Sequence, residues 1–364
     1  MKRKKPAYLT LYEKIKKEIV EGVYVNGNRL PSKRVLAQNL GISIITIEHA
    51  YELLGEEGYV EARQRSGYYV IFKKEDGFYL GEKKKESSPV MVNEIEKKER
   101  ETFPYSVLAK TMRRVLINYG EGIMHTVVGK GAPQLRKAIA NYLARSRGIF
   151  VEDEQIVIGA GAEYFYSVLP DILGRKKKYA IETPSYEKIE QSYQMQGISV
   201  EKIPMTEEGL DSNVLQSSKA EILHLSPYRS YPTRVSATAS KKYEYIRWAK
   251  QNNRFLIEDD VESEFSPTAG MEETLFSLSG KTHVIYMNTF SKTLSSALRI
   301  GYMVLPTDLQ KKYDEELGFR SCPVSVYIQL VVAELLENGD FERHINRIRR
   351  RRRKEKLQDG FKEK

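Results

Sequence analysis

The chain has 364 residues, 41% of them hydrophobic and 30% charged, enough for more than one buried core. One cysteine, Cys322, excludes an internal disulfide framework and a cysteine-based zinc cluster, and no apolar run approaches the roughly 18 residues a membrane helix needs. The net charge of +10 sits at the ends: residues 1–72 hold 12 basic and 8 acidic groups, residues 341–364 hold 11 and 4, and the middle is near neutral. The expectation is a cytoplasmic protein with no metal and no membrane partner, whose basic ends invite a nucleic-acid reading. The tail run Arg349 to Lys354 is expected to be a solvated helix face.

Residues 9–22 place Leu11, Ile15, Ile19 and Val20 on one helical face, and Gly22 marks the stop. Ser32 is positioned as the N-cap of a short helix over 33–40 that Gly41 ends, and Ser43 as the cap of a third helix reaching about Glu57. Ile47, Ala50, Leu53 and Leu54 form its inward face, and Gly58 closes it. Residues 59–63 and 67–71 follow as two strands around Gln64-Arg65-Ser66. Three helices and a hairpin predict a winged helix-turn-helix.

The stretch LPSKRVLAQNLGISIITIEHAYELLGEEGYVEARQRSGYYV, within residues 8–72, resembles the DNA-binding domain of the GntR superfamily. In that geometry the third helix enters the major groove and the wing reaches the backbone or minor groove. The resemblance makes Lys33, Arg34, Thr46 and His49 the DNA-binding candidates from the helices, and Arg63 and Arg65 those from the wing. Where the superfamily commonly has an arginine after the serine that opens the recognition helix, this chain has Ile44. An isoleucine makes no bidentate contact to guanine but can meet a thymine methyl, so specificity does not carry over from relatives.

Residues 73–101 are charged and poor in apolar periodicity, which predicts a linker between a domain at 1–72 and another at 102–364. In the second, strand-like runs at 155–158, 178–181, 222–225, 255–257, 283–287 and 301–305 alternate with helical patterns, predicting an α/β sheet between helices. In Tyr286-Met287-Asn288-Thr289-Phe290-Ser291-Lys292, with Arg299 seven residues on, a lysine follows a strand in a hydroxyl-rich turn. That pattern suits a cofactor with an aldehyde and a phosphate: Lys292 for the Schiff base, Arg299 for the phosphate, Thr289 and Ser291 for hydroxyl donors. Asp259 ends the apolar run Phe255-Leu256-Ile257-Glu258 and is the candidate to hold a pyridine nitrogen protonated. Gly161 and Ala162 lie in a glycine-rich turn before a helix, where backbone amides can cradle phosphate.

These elements, with Gly131-Ala132-Pro133-Gln134-Leu135-Arg136 upstream and a GntR-like domain in front, resemble the MocR family of regulators. The resemblance implies a winged helix-turn-helix joined to a fold-type I aminotransferase-like domain that binds pyridoxal 5'-phosphate. It also implies duplex DNA as partner, homodimers, and a small-molecule effector that is the cofactor itself, an amine or an amino acid. Three departures bear on that expectation. Val261 stands where relatives carry a tyrosine, and Arg234 where they carry a glycine; Tyr228 or Tyr231 is the candidate to replace the lost phenol, and Arg234 is expected to crowd the pocket. The sequence also ends soon after Phe341-Glu342-Arg343-His344, where the family continues into a smaller C-terminal domain, so a domain lacking that part is expected, with no anchoring arginine for a substrate carboxylate. The residues leave three functions open: a cofactor-responsive regulator with at most residual transamination, a regulator whose large domain no longer takes the cofactor, and an aminotransferase.

Overall fold

A computed structural model describes residues 6–64, 66–73, 103–266 and 273–362. Arg65 and, from residue 74 on, the expected linker lie outside the described residues. The chain divides into two units, residues 1–95 and 96–364, each with its own core.

In the first unit, α1 (Ala7–Val20), α2 (Lys33–Leu40) and α3 (Ile44–Glu56) precede the hairpin β1 (Val60–Arg63) and β2 (Gly67–Val70). The side chain of Ser32 accepts from the Val35 amide at 3.3 Å and that of Ser43 from the Thr46 amide at 3.1 Å, satisfying donors that every helix start leaves open. Gly41 takes the left-handed conformation, φ 64°, that ends α2. Leu11, Ile15 and Ile19 of α1 pack on Ile47, Ala50 and Leu54 of α3, and buried Tyr51 donates its hydroxyl to the Pro31 carbonyl at 2.8 Å.

In the second unit, α4 (Tyr105–Tyr119) and α5 (Pro133–Arg147) lead into an eight-stranded sheet. Its strands are β3 (Ile156–Gly159), β4 (Tyr179–Thr183), β5 (Val200–Thr206), β6 (Gly209–Leu210), β7 (Ile222–Leu225), β8 (Phe255–Asp259), β9 (Val284–Thr289) and β10 (Gly301–Val304). They lie in the order β3-β10-β9-β8-β7-β4-β5-β6. Between them run α6 (Ala162–Leu173), α7 (Glu187–Gln194), α8 (Ser212–Ser217), α9 (Ala239–Gln251) and α10 (Leu275–Leu278). Then come α11 (Thr307–Leu317), α12 (Val326–Glu337) and α13 (Asp340–Lys362), and Arg349 to Lys354 lie on α13.

The sheet from β3 to β4 is buried on both faces, which is why those strands read as nearly unbroken apolar runs. Leu256, Tyr286 and Tyr302 point to one face with Leu135, Trp248 and Leu335, whereas Ile257, Met287 and Met303 point to the other with Phe165, Ile189 and Leu309. The six expected strands are present within one or two residues at each end, and β5 and β6 are additional. Val200–Thr206 reads VEKIPMT and buries only Ile203, so no apolar run announced it. No helix among the described residues is long and apolar enough to cross a membrane.

Gly131 is fixed by both conformation and space. It has φ 93°, and a Cβ there would lie 2.8 Å from the Ile158 Cβ and 2.8 Å from the Gln329 side-chain oxygen. Gly131→Ala is expected to destabilise the large unit by about 1–3 kcal/mol through strain and overpacking. Trp248, the single tryptophan, lies in that unit, so its fluorescence in a urea titration checks this directly; an unmoved midpoint would contradict it.

Candidate functional site

Strands β5, β4, β7, β8 and β9 are mutually parallel, and β3 runs the same way because β10 is antiparallel to both β3 and β9. The segments leaving the carboxyl ends of β3, β4, β7, β8 and β9 therefore gather along one edge, where open α/β sheets bind ligands. A cavity of about 290 Å³ lies there. Its walls include Ala162, Asp259, Thr289, Ser291, Lys292 and Arg299, so the structure brings together the site residues expected from sequence, and Tyr231 lines it too. Gly161 adjoins them as the N-cap of α6.

Asp259 is buried at the end of β8. Its Oδ2 accepts from the Tyr166 hydroxyl at 2.6 Å and lies 3.6 Å from His224 Nε2, while its Oδ1 is buried with no hydrogen-bond partner among the described residues. Burial raises the Tyr166 phenol well above its ordinary pKa, so this hydroxyl stays a donor. His224 is held in turn by Tyr193, 2.8 Å from its Nδ1. An unmet carboxylate oxygen in a cavity wall is a costly arrangement that a cationic N–H donor would relieve.

A second set of groups suits an anion. Gly161 has φ 88° and no side chain to cap α6, so the first amides of that helix stay available. A Cβ on Gly161 would come within 3.3 Å of the Arg299 guanidinium, so only glycine lets the two meet at ease. The Thr289 and Ser291 hydroxyls are 2.9 Å apart beside them. Arg299 also lies 3.9 Å from Glu163, whose carboxyl the Lys188 ammonium, 2.6 Å away, holds below its ordinary range.

Between these sets Lys292 is half exposed and its ammonium pairs with Glu262. Val261 lines the cavity, as do the phenols Tyr186, Tyr228 and Tyr231. Arg234 does not border the cavity; the expected crowding gives way to an exposed side chain that faces an adjoining depression. The turn carrying these residues is tied down by buried Glu182, which accepts from the Ser230 hydroxyl at 2.7 Å and from the Ser226 amide at 3.2 Å. Burial pushes the Glu182 carboxyl up to about 8.

In the first unit, Arg34 is exposed in the first turn of α2, and Thr46 and His49 sit in the first two turns of α3, His49 exposed. Arg63 is exposed on β1 with its guanidinium 4.5 Å from the Tyr69 ring centre. Lys33 is engaged differently: it pairs with Glu48 and braces α2 against α3. Ile44 and Ile45 are exposed at the start of α3.

Residues 7–70 match the bacterial regulatory proteins of the gntR family, and residues 86–364 match the aminotransferases of class I and II. The HTH-type transcriptional regulator YdeL of Bacillus subtilis is 32% identical over 361 residues, covering 96% of this chain and 78% of that protein. The probable rhizopine catabolism regulatory protein MocR of Rhizobium meliloti is 26% identical over 367 residues, covering 95% and 74%. The chain belongs to the MocR family. Among solved structures it is similar to LysN, an α-aminoadipate aminotransferase from Thermus thermophilus, with 25% identity, a TM-score of 0.57, and coverage of 68% of this chain and 64% of that one. This chain thus spans just under two thirds of that aminotransferase. A MocR-family chain is a GntR-type regulator with an aminotransferase-like domain, and that domain implies pyridoxal phosphate binding.

Sequence alone does not single out Tyr166, His224, Tyr186, Arg229 or Glu262, all brought to the site by folding. The usable signal is position: Tyr186 follows β4 and Arg229 follows β7 as Lys292 follows β9.

Because Glu182 keeps its proton to about pH 8, the native chain binds a proton that an unfolded glutamate has already released. Stability therefore falls as pH rises from about 5 to about 8. Glu182→Gln is expected to flatten part of that fall in urea midpoints read by Trp248 fluorescence; an equally steep fall in the variant would assign it to other groups.

Proposed function

We propose that this chain is a transcription regulator that binds duplex DNA with its first unit, holds pyridoxal phosphate in its second, and changes DNA affinity when an amine or amino acid reaches the cofactor. The observation that carries the cofactor reading is the Oδ1 of Asp259, without a hydrogen-bond partner among the described residues, on a residue that lines a cavity also bordered by a lysine and an anion cradle. Asp259 would accept from the protonated ring nitrogen; Arg299, Thr289, Ser291 and the first amides of α6 would hold the phosphate. Lys292, freed from Glu262, would hold the cofactor at its aldehyde. Bound there, the cofactor supplies a reactive carbonyl and an electron-withdrawing ring. Tyr186, Tyr228 and Tyr231 flank the place where Val261 offers no phenol.

Titrating the protein with pyridoxal phosphate is expected to give the visible absorption of the lysine-bound cofactor, and Lys292→Ala to abolish it. Arg299→Ala should weaken binding about tenfold or more, since it removes a charge-assisted hydrogen bond to the phosphate. No band in the wild type at millimolar cofactor would favour a large unit that has lost the cofactor.

For DNA, exposed Arg34 and Arg63 are the phosphate contacts best supported by geometry, while Ile44 and Ile45 offer apolar contact to thymine methyls. The Arg34→Ala, Arg63→Ala double variant is expected to bind promoter DNA more weakly and to lower the slope of log affinity against log salt by about one for each phosphate that no longer meets an arginine. Fluorescence anisotropy across a salt series reads both; unchanged affinity removes these residues from the interface. Regulation requires only that a ligand bind DNA-competent and DNA-incompetent arrangements unequally. Exposed Tyr105, Ile117, Met124 and Phe319 on the large unit support homodimers, which would present two DNA-binding units at paired half-sites.

A further inference from the structure

Beside the cavity lies a depression of about 440 Å³ bordered by Arg229, Tyr231, Arg234, Glu262, Lys292 and Arg352. Four of these, Arg229, Tyr231, Glu262 and Lys292, border the cavity as well, so the two spaces meet at the lysine. The anion cradle of Arg299, Thr289, Ser291 and Ala162 borders the cavity alone. The molecule therefore has two separate cationic sets with Lys292 common to both spaces.

The cations of the second set differ in their commitments. Lys292 pairs with Glu262, and Arg352 lies with its guanidinium 4.7 Å from the Phe265 ring centre. Neither Arg229 nor Arg234 has an ion-pair partner among the described residues. Both hold left-handed backbone, φ 48° and φ 59°, a conformation unfavourable for a non-glycine residue and one that invites a functional explanation for the side chain retained there. The turn presenting them is built rather than loose. Ser230 is fully buried, its amide donates to the Val235 carbonyl at 2.9 Å, the Arg229 amide donates to the Ser236 hydroxyl at 3.1 Å, and Glu182 secures Ser226 and Ser230 from beneath. Two arginines carried by a fixed turn onto one depression can bind a carboxylate there.

We infer that Arg229 and Arg234 form the subsite for the carboxylate of an amino-acid effector whose amine is delivered beside Lys292. The inference rests on the cofactor reading above and adds the ligand class: a zwitterion rather than a simple amine. Glu262 completes the match, its negative charge standing beside Lys292 where an incoming ammonium would arrive, with the arginines on the same depression for the carboxylate. Tyr231 forms the wall shared with the cavity.

The test uses two stable conjugates that need no bond to Lys292, N-(5'-phosphopyridoxyl)-L-alanine and N-(5'-phosphopyridoxyl)ethylamine, which differ by one carboxylate. Isothermal titration of the full chain is expected to show the alanine conjugate binding about tenfold tighter or more. In Arg234→Gly, which changes a residue bordering the depression and not the cavity, that preference should fall while the ethylamine conjugate binds as before, which also certifies the fold, since glycine accepts left-handed backbone. In the Arg229→Asn, Arg234→Gly double variant the preference should vanish. Equal binding of the two conjugates by the wild type, or a preference that survives in the double variant, overturns the subsite and leaves the cofactor reading standing. Binding of neither conjugate by the wild type overturns the cofactor reading and the subsite with it. Should the double variant lose the ethylamine conjugate, Arg234→Gly alone decides, because it only relaxes the backbone: a reduced preference supports the subsite and an intact one overturns it.

Discussion

Three consecutive acidic residues, Glu258, Asp259 and Asp260, are buried at the end of a central strand, and each must find a partner there. Strand alternation turns them apart. Glu258 accepts the Leu275 and Phe276 amides at the start of α10 at 2.8 and 2.9 Å, and burial pushes its carboxyl up to about 8. Asp260 accepts from the Tyr286 hydroxyl at 2.7 Å and lies 3.8 Å from the buried Arg147 guanidinium. Of the three, Asp259 alone keeps an oxygen without a partner among the described residues, and it is the one that lines the cavity. The surroundings thus sort three like groups into two structural anchors and one open binding group.

The same economy of position runs along the sheet edge. Each strand ending there delivers one kind of chemistry: β3 helix amides, β4 an aromatic ring, β7 two arginines, β8 a carboxylate, β9 a lysine with hydroxyls. Those groups come from segments up to 140 residues apart in the chain, between Gly159 and Arg299, and only the parallel arrangement puts them on one side. A buried sheet with helices on both faces fixes their spacing, because packed interiors yield little.

Much of this was legible in the sequence wherever a local rule governs. Ser32, Ser43 and Gly41 announce helix ends because capping is a contact between near neighbours. Leu11, Ile15 and Ile19 announce a face because helical spacing is short-range. Lys292, Arg299 and Asp259 are legible as a set, because a lysine in a hydroxyl-rich turn, an arginine seven residues on and a carboxylate ending an apolar strand together suit one cofactor. What was not legible depends on distant partners. Glu48, 15 residues from Lys33, gives that lysine a second task, bracing α2 against α3. Tyr166 and His224 meet Asp259 from 93 and 35 residues away, and Arg234 leaves the cavity because its turn is held from below by Glu182.

The first unit is built on a small core of its own, around Ile47, Tyr51 and Leu54, that shares no residue with the cores flanking the sheet. Small cores bury a lower fraction of their surface, so this unit is expected to melt first and the chain to unfold in two steps rather than at one melting temperature. A ligand seated among Asp259, Lys292 and Arg299 raises the transition of the large unit by mass action alone. The transition of the small unit is then an internal gauge: a ligand bound only at the sheet edge shifts it solely through the free energy that links one unit to the other. In a heat scan, the displacement of that unit's step measures how far occupancy of the sheet edge is felt by the fold of the DNA-binding unit, and it is readable with no DNA present.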